Sequence, residues 1–545
     1  MRFPLWFWVF LLAAAVQVAL GGCAQPDRWG VFEERLDRRL EEEASRPVEP
    51  VEAPEASLAE EPPFVLPEEG PLELSVEQAV MLALRNNRDL RVRQLGQVVA
   101  GTFEQIERGV FDPEVFLDVD YSGEKSTETA RSTGTQFSVE GNDFSAVAGV
   151  RQELPSGATV EATVEERRSD SNRTPEQYSA RLGLSVTQSL LRGLGPAVNL
   201  ASVRQAELEA KASAHELRGF TEALVADSET AYWNYVLAEK EIEIFERSLE
   251  VAKRQLDEVE LRIDVGILPE IEAAAARAEV ARREQALIDA RSLLEERRLR
   301  LLRIVSPGRG GGLDLRVDAT SEPGFEPNPV TDIPDRLALA ERIRPDLREA
   351  LLRLDQNRLD TIVTRNGLLP RLDLFVALGK TGFADSFSES FREIEGDTYD
   401  FAVGVRLSQF VGNRAAEASA LAARASLRQG EEAVENLRQL VELDVRLAVN
   451  EVERARRQIS ATRATRVFQE ETLNAEKERF DVGASTALLV AQAQRDLLAS
   501  LIAEVEAVVG YRVALIELYL AEGSLLERRG ISMPAGETPV AGTLP

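Results

Sequence analysis

Arg262-Ile263-Asp264-Val265-Gly266 and Arg479-Phe480-Asp481-Val482-Gly483 are one phrase written twice in a chain of 545 residues. A glycine in this setting reads as a helix stop, because it takes the left-handed backbone of a C-cap without a Cβ clash. Upstream of each glycine, apolar residues recur at helical spacing. Ala238, Ile242, Phe245, Leu249, Ala252, Leu256, Val259 and Ile263 alternate steps of four and three, and Val434, Leu437, Val441, Val445, Ala448, Val452, Ala455 and Ile459 mix the same steps. A mean step of about 3.6 lies between a straight helix and a left-handed coiled coil. Each long helix is expected from near residue 196 or 413 to its Val-Gly break. Some 65 residues at 1.5 Å each make roughly 100 Å of helix, longer than an ordinary domain. Alanine-rich return helices follow, near 270–305 and 486–527.

Other landmarks repeat in the same order. Asp89-Leu90-Arg91 matches Asp346-Leu347-Arg348, and Pro113 and Pro370 each follow the matching aspartate by 24 residues. Period-two strands come after both prolines. Val115, Leu117, Val119 and Tyr121 alternate with Phe116, Asp118 and Asp120, and Leu372, Leu374, Val376 and Leu378 form the equivalent strand. Tyr178, Ala180, Leu182, Leu184 and Val186 share one face, as do Tyr399, Phe401, Val403, Val405 and Leu407. An extra hairpin is expected near 144–153 and 158–166, turning at Pro155-Ser156-Gly157. One apolar and one polar face suits a soluble sandwich or a membrane barrel with lipid outside. Aromatics at strand ends (Tyr121, Tyr178, Tyr399, Phe401, Phe410) suit interfacial girdles.

Composition excludes several functions. The chain has 64 Lys and Arg against 93 Asp and Glu, a net charge of −29, which argues against a nucleic-acid surface. His215 and Cys23 are the sole histidine and cysteine. They leave no structural disulfide within the chain and no Cys/His zinc site. Gly308–Gly312 lacks the Lys-Ser/Thr that completes a phosphate loop. No constellation supports an enzyme, and His215 reads as a solvent or interface residue. Arg291, Arg297 and Arg298, interspersed with Glu295 and Glu296, read as a solvated helix face.

The N-terminus carries Met1-Arg2, an apolar run from Phe3 to Val16, then Leu20-Gly21-Gly22-Cys23. This resembles a bacterial lipoprotein signal: residues 1–22 are removed and Cys23 is lipidated. Ala24 after the cysteine fits outer-membrane sorting. Residues 23–72 then read as a Pro/Glu-rich tether, with a short helix feasible at Phe32–Glu43. The remaining domains are a first repeat at 73–306, a linker at 307–330, a second repeat at 331–528 and a disordered tail at 529–545.

The ordered set resembles the TolC-like outer-membrane efflux proteins over roughly residues 74–528. The stretch from Leu74-Ser75 through Ala79 and Ala83-Leu84 to Asn86-Asn87 resembles the family's first helix, and Ala231-Tyr232-Trp233 falls where its long helix often has an aromatic pair. The resemblance implies an α+β membrane protein, with an internal two-fold sequence repeat of long coiled-coil hairpins and strands forming a β-barrel shared by a homotrimer. It implies a passive exit duct of a tripartite efflux or type I secretion system, reached by an inner-membrane pump through a periplasmic adaptor. Three copies would give 12 strands or, with the extra hairpin, 18; the smaller count is slightly favoured, the hairpin then extending beyond the membrane. A periplasmic coiled-coil spacer lipoprotein without a pore is the alternative, but it leaves the paired strand sets unexplained.

In the resemblance, Val265-Gly266-Ile267 and Val482-Gly483-Ala484 are tips that dock the adaptor. Glycine helix caps with no partner would leave the same pattern. Asp264, Glu270, Glu272 and Asp481 are candidate acids of a periplasmic gate. A first-turn acid favoured by the helix dipole is the plainer reading of Glu272. Leu489 and Gln492 stand where some members carry aspartates, and Ser485 where some carry arginine. No cofactor is implied beyond the lipid on Cys23.

Overall fold

The computed structural model describes residues 71–129, 131–305, 312–324 and 329–531. The expected signal peptide, Cys23, the Phe32–Glu43 helix and the end of the tail lie outside the described residues. A short strand β1 (Leu72–Leu74) leads into α1 (Val76–Asn86) and α2 (Arg88–Arg108). Ser75 and Gln78 close a capping box at the start of α1, each side chain bonded to the other's backbone N–H. The strands β2 (Glu114–Thr129), β3 (Gln136–Glu153), β4 (Ala158–Ser171) and β5 (Gln177–Ser189) follow. Then come the long α3 (Ala201–Asp264) and its return helix α4 (Ile271–Val305). The second half runs β6 (Val317–Ala319), α5 (Ile333–Ile343), α6 (Pro345–Gly367), β7 (Arg371–Ala384), α7 (Phe387–Glu393), β8 (Asp400–Ser408), α8 (Arg414–Asp481), α9 (Ala487–Glu522) and α10 (Leu525–Arg528).

The heptad-like positions read from sequence are the packing positions. Ala238, Ala252 and Val259 on α3 are buried, as are Val434, Val441, Val445, Val452, Ala455 and Ile459 on α8. The breaks between α1 and α2 and between α5 and α6 have nearly the same backbone, φ −64 and ψ 122 at Asn87 against φ −60 and ψ 123 at Arg344. No helix among the described residues is long and apolar enough to cross a membrane.

Several expected boundaries are corrected. The tether does not reach residue 72, and 307–330 is not only a linker. Leu72–Leu74 pairs in parallel with Val317–Ala319. This ribbon is tied to α3 by Tyr232, one of the aromatic pair picked out in sequence, and by Tyr235, which was not. The Tyr232 hydroxyl donates to Leu74 O at 3.0 Å and accepts from Ser321 N at 2.9 Å, while the Tyr235 hydroxyl donates to Val317 O. The last return helix stops at 522, because Gly523 turns left-handed at φ 68.

The tail is not free from 529 either. Arg529 forms a two-pronged pair with buried Glu229 at 2.5 and 2.6 Å, and Ile531 packs on the central core. Buried Glu522 accepts from Arg528 at 3.1 Å and pairs with Arg336 on α5. Arg528 and Arg529 are thus held by carboxylates that α9 and α3 bury, and these need partners to be tolerated inside.

Glu222 on α3 belongs to this clasp and is 1% exposed. Burial pushes its carboxyl up to about 7, and the Arg218 cation 3.4 Å away only partly opposes this. Glu527 from α10 and Asp346 from α6 push in the same direction as burial. The folded state therefore holds a proton that the unfolded chain has released between pH 4.5 and about 7. Stability falls as pH rises through that window and is flat above it. Glu222→Gln is expected to raise the melting temperature of the helical circular-dichroism signal at pH 8, by up to about 3 kcal/mol in stability, and to leave it unchanged near pH 4.5.

Candidate functional site

Six strands form one antiparallel sheet in the order β2-β3-β4-β5-β7-β8. The extra hairpin is β3 and β4. It is longer than expected and lies between β2 and β5, so it does not simply extend beyond the other strands. Val119 pairs with Ala146, Ala146 with Glu166, Glu166 with Ala180 and Ala180 with Gly382, a continuous row through five strands. Only the upper ends project past the rest, Lys125–Thr129 against Gln136–Glu140. The placement error arose because alternation reports a strand's faces but not its neighbours.

Register carries the alternation across the sheet. One face presents Val115, Leu117, Val119, Val150, Val164, Leu182, Leu184, Leu378, Val403, Val405 and Leu407. Many of these are open to the surroundings, from 80% at Val115 to 61% at Val403 and Val405. From Leu372 to Ala384 this face follows about 40 Å of strand, or roughly 28 Å of height at the usual tilt, the height of a barrel's lipid-facing band; its unbroken apolar part on β7, Leu372–Leu378, covers about half of that, below exposed Lys380. Tyr121, Phe144 and Tyr178 mark its upper end and Phe410 its lower; Phe401 sits within the band, opposite Leu378. Three charged residues share this face up to the level of the upper aromatics: α7 lies over Glu166, to which Ser390 donates at 3.4 Å, Arg168 sits opposite Phe144 and Tyr178, and Lys380 is exposed opposite Leu182.

The other face is charged. Arg151 donates to Glu161 at 2.8 Å, Arg181 to Asp400 at 2.6 Å and Arg371 to Asp373 at 2.8 Å. Phe116 lies across Gly149, and Phe375 across Gly404; a Cβ on either glycine would come within 2.6 Å of the ring. These pairs fill the missing side chains and fix register in both halves.

The sheet is open in a single chain. Among the described residues, β2 pairs only with β3, and β8 only with β7. The helices above the tips form a matching open layer, α2 on α3, α3 on α6 and α6 on α8. Its first edge carries an apolar stripe that the sequence reading missed: Val92, Leu95, Val99, Phe103 and Ile106 on α2, then Val110. All are about half exposed or more. Their steps of three and four were the available signal. On the opposite edge, α8 exposes Ala415, Ala418, Leu421, Ala422 and Ala425.

At the other end stand the two tips. Gly266 and Gly483 both have φ +77. Gly266 N donates to Ile263 O and Ile267 N to Arg262 O, each at 2.8 Å; Gly483 N donates to Phe480 O at 3.0 Å and Ala484 N to Arg479 O at 2.8 Å. This is the same Schellman closure twice. Both closures leave apolar side chains in the open: Val265 is 62% exposed, Ile267 71% and Val482 79%.

The candidate gate acids separate into different roles. Asp481 accepts from Arg262 at 2.7 Å, linking the two tips, and the Arg262 guanidinium lies over the Phe480 ring at 4.9 Å. Glu272 accepts from Ala487 N at 3.3 Å, so it caps the first turn of α9 across the hairpins. Asp264 and Glu270 are exposed at the first tip. Ser485 donates to Glu476 at 2.8 Å. Arg262 was not singled out from sequence, although its place in the repeated phrase marked it. Among the described residues, no group of three or more His, Cys, Asp or Glu could hold a metal.

Comparison with known proteins agrees with this geometry. The profile of the outer membrane efflux protein family matches residues 182–306 and 337–524. No functionally curated sequence matches. Among solved structures, the outer-membrane channel OprN is 20% identical with a TM-score of 0.63, over 82% of this chain and 90% of that one. The Campylobacter jejuni outer membrane channel CmeC is 18% identical with a TM-score of 0.62, over 83% and 86%. The Vibrio cholerae outer membrane protein VceC is 16% identical with a TM-score of 0.61, over 82% and 96%. With a profile match across both halves and the strand-and-hairpin architecture of these channels, the chain belongs to the outer membrane efflux protein family.

Proposed function

We propose that three copies close head to tail into one outer-membrane duct, the exit conduit of a tripartite efflux or type I secretion system. The observation that carries this reading is the pair of open edges. The α2 and β2 edges are joined through Gly109–Phe111, and the β8 and α8 edges through Gln409–Asn413, so each side of the protomer has a sheet edge and a helix edge together. A rotation that brings one side of a copy against the other side of the next satisfies both at once. Three copies of a six-stranded sheet make an 18-stranded barrel, with the extra hairpin inside the wall. Closure removes the unpaired backbone groups that lipid does not tolerate. Below the barrel, twelve helices make the tunnel wall, consistent with the internal two-fold repeat.

The lipid on Cys23 would add a second hold on the outer membrane. The tips Val265-Gly266-Ile267 and Val482-Gly483-Ala484 dock a periplasmic adaptor, which connects the duct to an inner-membrane pump. Arg262–Asp481 holds the tips together at the periplasmic mouth, with Asp264 and Glu270 on its rim, while Glu272 supports the second hairpin. The chain has no motif for harnessing nucleotide energy, so conduction is passive.

Electron cryomicroscopy of protein extracted from outer membranes tests the duct. A threefold hollow tube with an 18-stranded barrel is expected; solid rods or monomers overturn the reading. For docking, Val265→Asp combined with Val482→Asp should leave the trimer intact and cut adaptor recovery in an envelope pull-down at least tenfold. Each apolar side chain is worth about 1.5 kcal/mol when buried, and charge in its place opposes burial.

A further inference from the structure

The two strands that edge the sheet carry different charges on the polar face. From Glu114 to Glu124, β2 presents Glu114, Asp118, Asp120 and Glu124 there, all exposed and with no base among them. Glu114 lies 3.8 Å from Arg151, while Asp118 and Asp120 make no ion pair among the described residues. The same face of β8 presents Asp400, Ala402, Gly404, Arg406 and Ser408. Asp400 is taken by Arg181. Arg406 stands directly opposite Asp373 on β7, but that buried carboxylate already accepts from Arg371 at 2.8 Å and from Ser189 at 3.2 Å. Arg406 instead lies over the Phe375 ring at 5.8 Å, exposed and without an ion pair among the described residues.

The stagger of the sheet gives the level at which Arg406 meets a second copy. Glu114, the first residue of β2, shares a row with Arg151, Glu161, Ser185, Ala377 and Ala402. Ala402 is six residues short of Ser408, where β8 ends beside the helices. Five steps between strands thus displace the row by about six residues, the kind of stagger that a closed barrel requires. A sixth step of the same size, from β8 to the β2 of a neighbouring copy, adds about one residue more. Arg406 is two residues from the end of β8, so it falls about three residues into the neighbour's β2, level with Leu117. The polar-face residues on either side of that level are Phe116 and Asp118. Placed directly opposite Asp118 or on the diagonal to it, a side chain as long as arginine reaches it.

Charge agrees with this geometry. The unpaired cation of one edge comes level with an unpaired acid of the other, and opposite charges across neighbouring strands favour the ladder. The inference rests on the head-to-tail ring proposed above and names a contact within its seam. We propose that Arg406 of each copy pairs with Asp118 of the next, an ion pair on the lumen side that fastens the barrel seam.

The test reads the heat-modifiable oligomer of the full chain in outer membranes. Arg406→Glu should lower the temperature at which the trimer separates by several degrees, and so should Asp118→Arg. The two together should restore it, whereas Glu124→Arg should not rescue Arg406→Glu. Cysteines locate the contact independently, since Cys23 is the chain's one native cysteine. Arg406→Cys is combined in turn with Glu114→Cys, Phe116→Cys, Asp118→Cys, Asp120→Cys and Ser122→Cys. Oxidative cross-linking between copies should peak at Phe116→Cys or Asp118→Cys. A trimer that Arg406→Glu leaves unmoved, that Asp118→Arg fails to restore, or that cross-links best at another position overturns the pair and leaves the duct standing. An unaltered protein that forms no trimer overturns the duct and the pair together.

Discussion

A lysine at Val403 is expected to abolish the membrane-inserted assembly, whereas a lysine at the preceding residue, Ala402, is expected to leave it intact. The two residues are neighbours on β8 and point to opposite faces. Val403 pairs with Val376 in the apolar band, and Ala402 with Ala377 on the charged face. A cation near the middle of the lipid face of a barrel costs about 2–4 kcal/mol. In the proposed trimer every copy carries the change, so the assembly bears that cost three times. On the polar face the same cation meets water and nearby Asp400. The measurement is a heat-modifiable oligomer on a gel of outer membranes, present for Ala402→Lys and absent for Val403→Lys. Equal behaviour of the two would show that the sheet does not face lipid.

The second large effect is expected on the helical edge. Leu95 and Val99 on α2 are each 54% exposed in the single chain. Changing both to glutamate should not disturb the protomer's own packing. It should separate the copies. Each apolar side chain buried at a seam contributes about 1.5–3 kcal/mol, and a carboxylate buried there without a partner opposes association further. With the three seams of the proposed trimer, the expected result is monomer on native gels and by mass photometry, with the helical circular-dichroism signal retained. An intact trimer would exclude α2 from the interface.

The long helices, their tips and the alternating faces were legible in sequence, for a physical reason. A helical period kept over some 26 residues before each break marks one packing face, and a glycine that must turn left-handed leaves a local mark. Long-range pairings left no such mark. β1 and β6 are three residues each, too short to show a period, and they meet on the surface of α3, where Leu72, Leu74 and Val317 enter the core and Tyr232 and Tyr235 bond their carbonyls. Arg528 and Arg529 look like surface charges until Glu522 and Glu229 are found buried beneath them. Glu272 was set down among the gate acids because it follows the tip, yet the backbone it meets belongs to α9, 215 residues away. The position of the extra hairpin depended on neighbour order, which no strand states by itself.

The open sheet has a genetic consequence. Each copy brings one β2 edge and one β8 edge, and the proposed ring of three has no spare of either. A copy that folds but has a spoiled β8 edge can still offer its β2 edge to a healthy neighbour and draw it into an assembly that never closes. Such an allele should be dominant. With equal expression and random mixing, only about one assembly in eight would be built wholly from intact copies. Export should therefore fall far below half in cells that still make a normal amount of the unaltered protein.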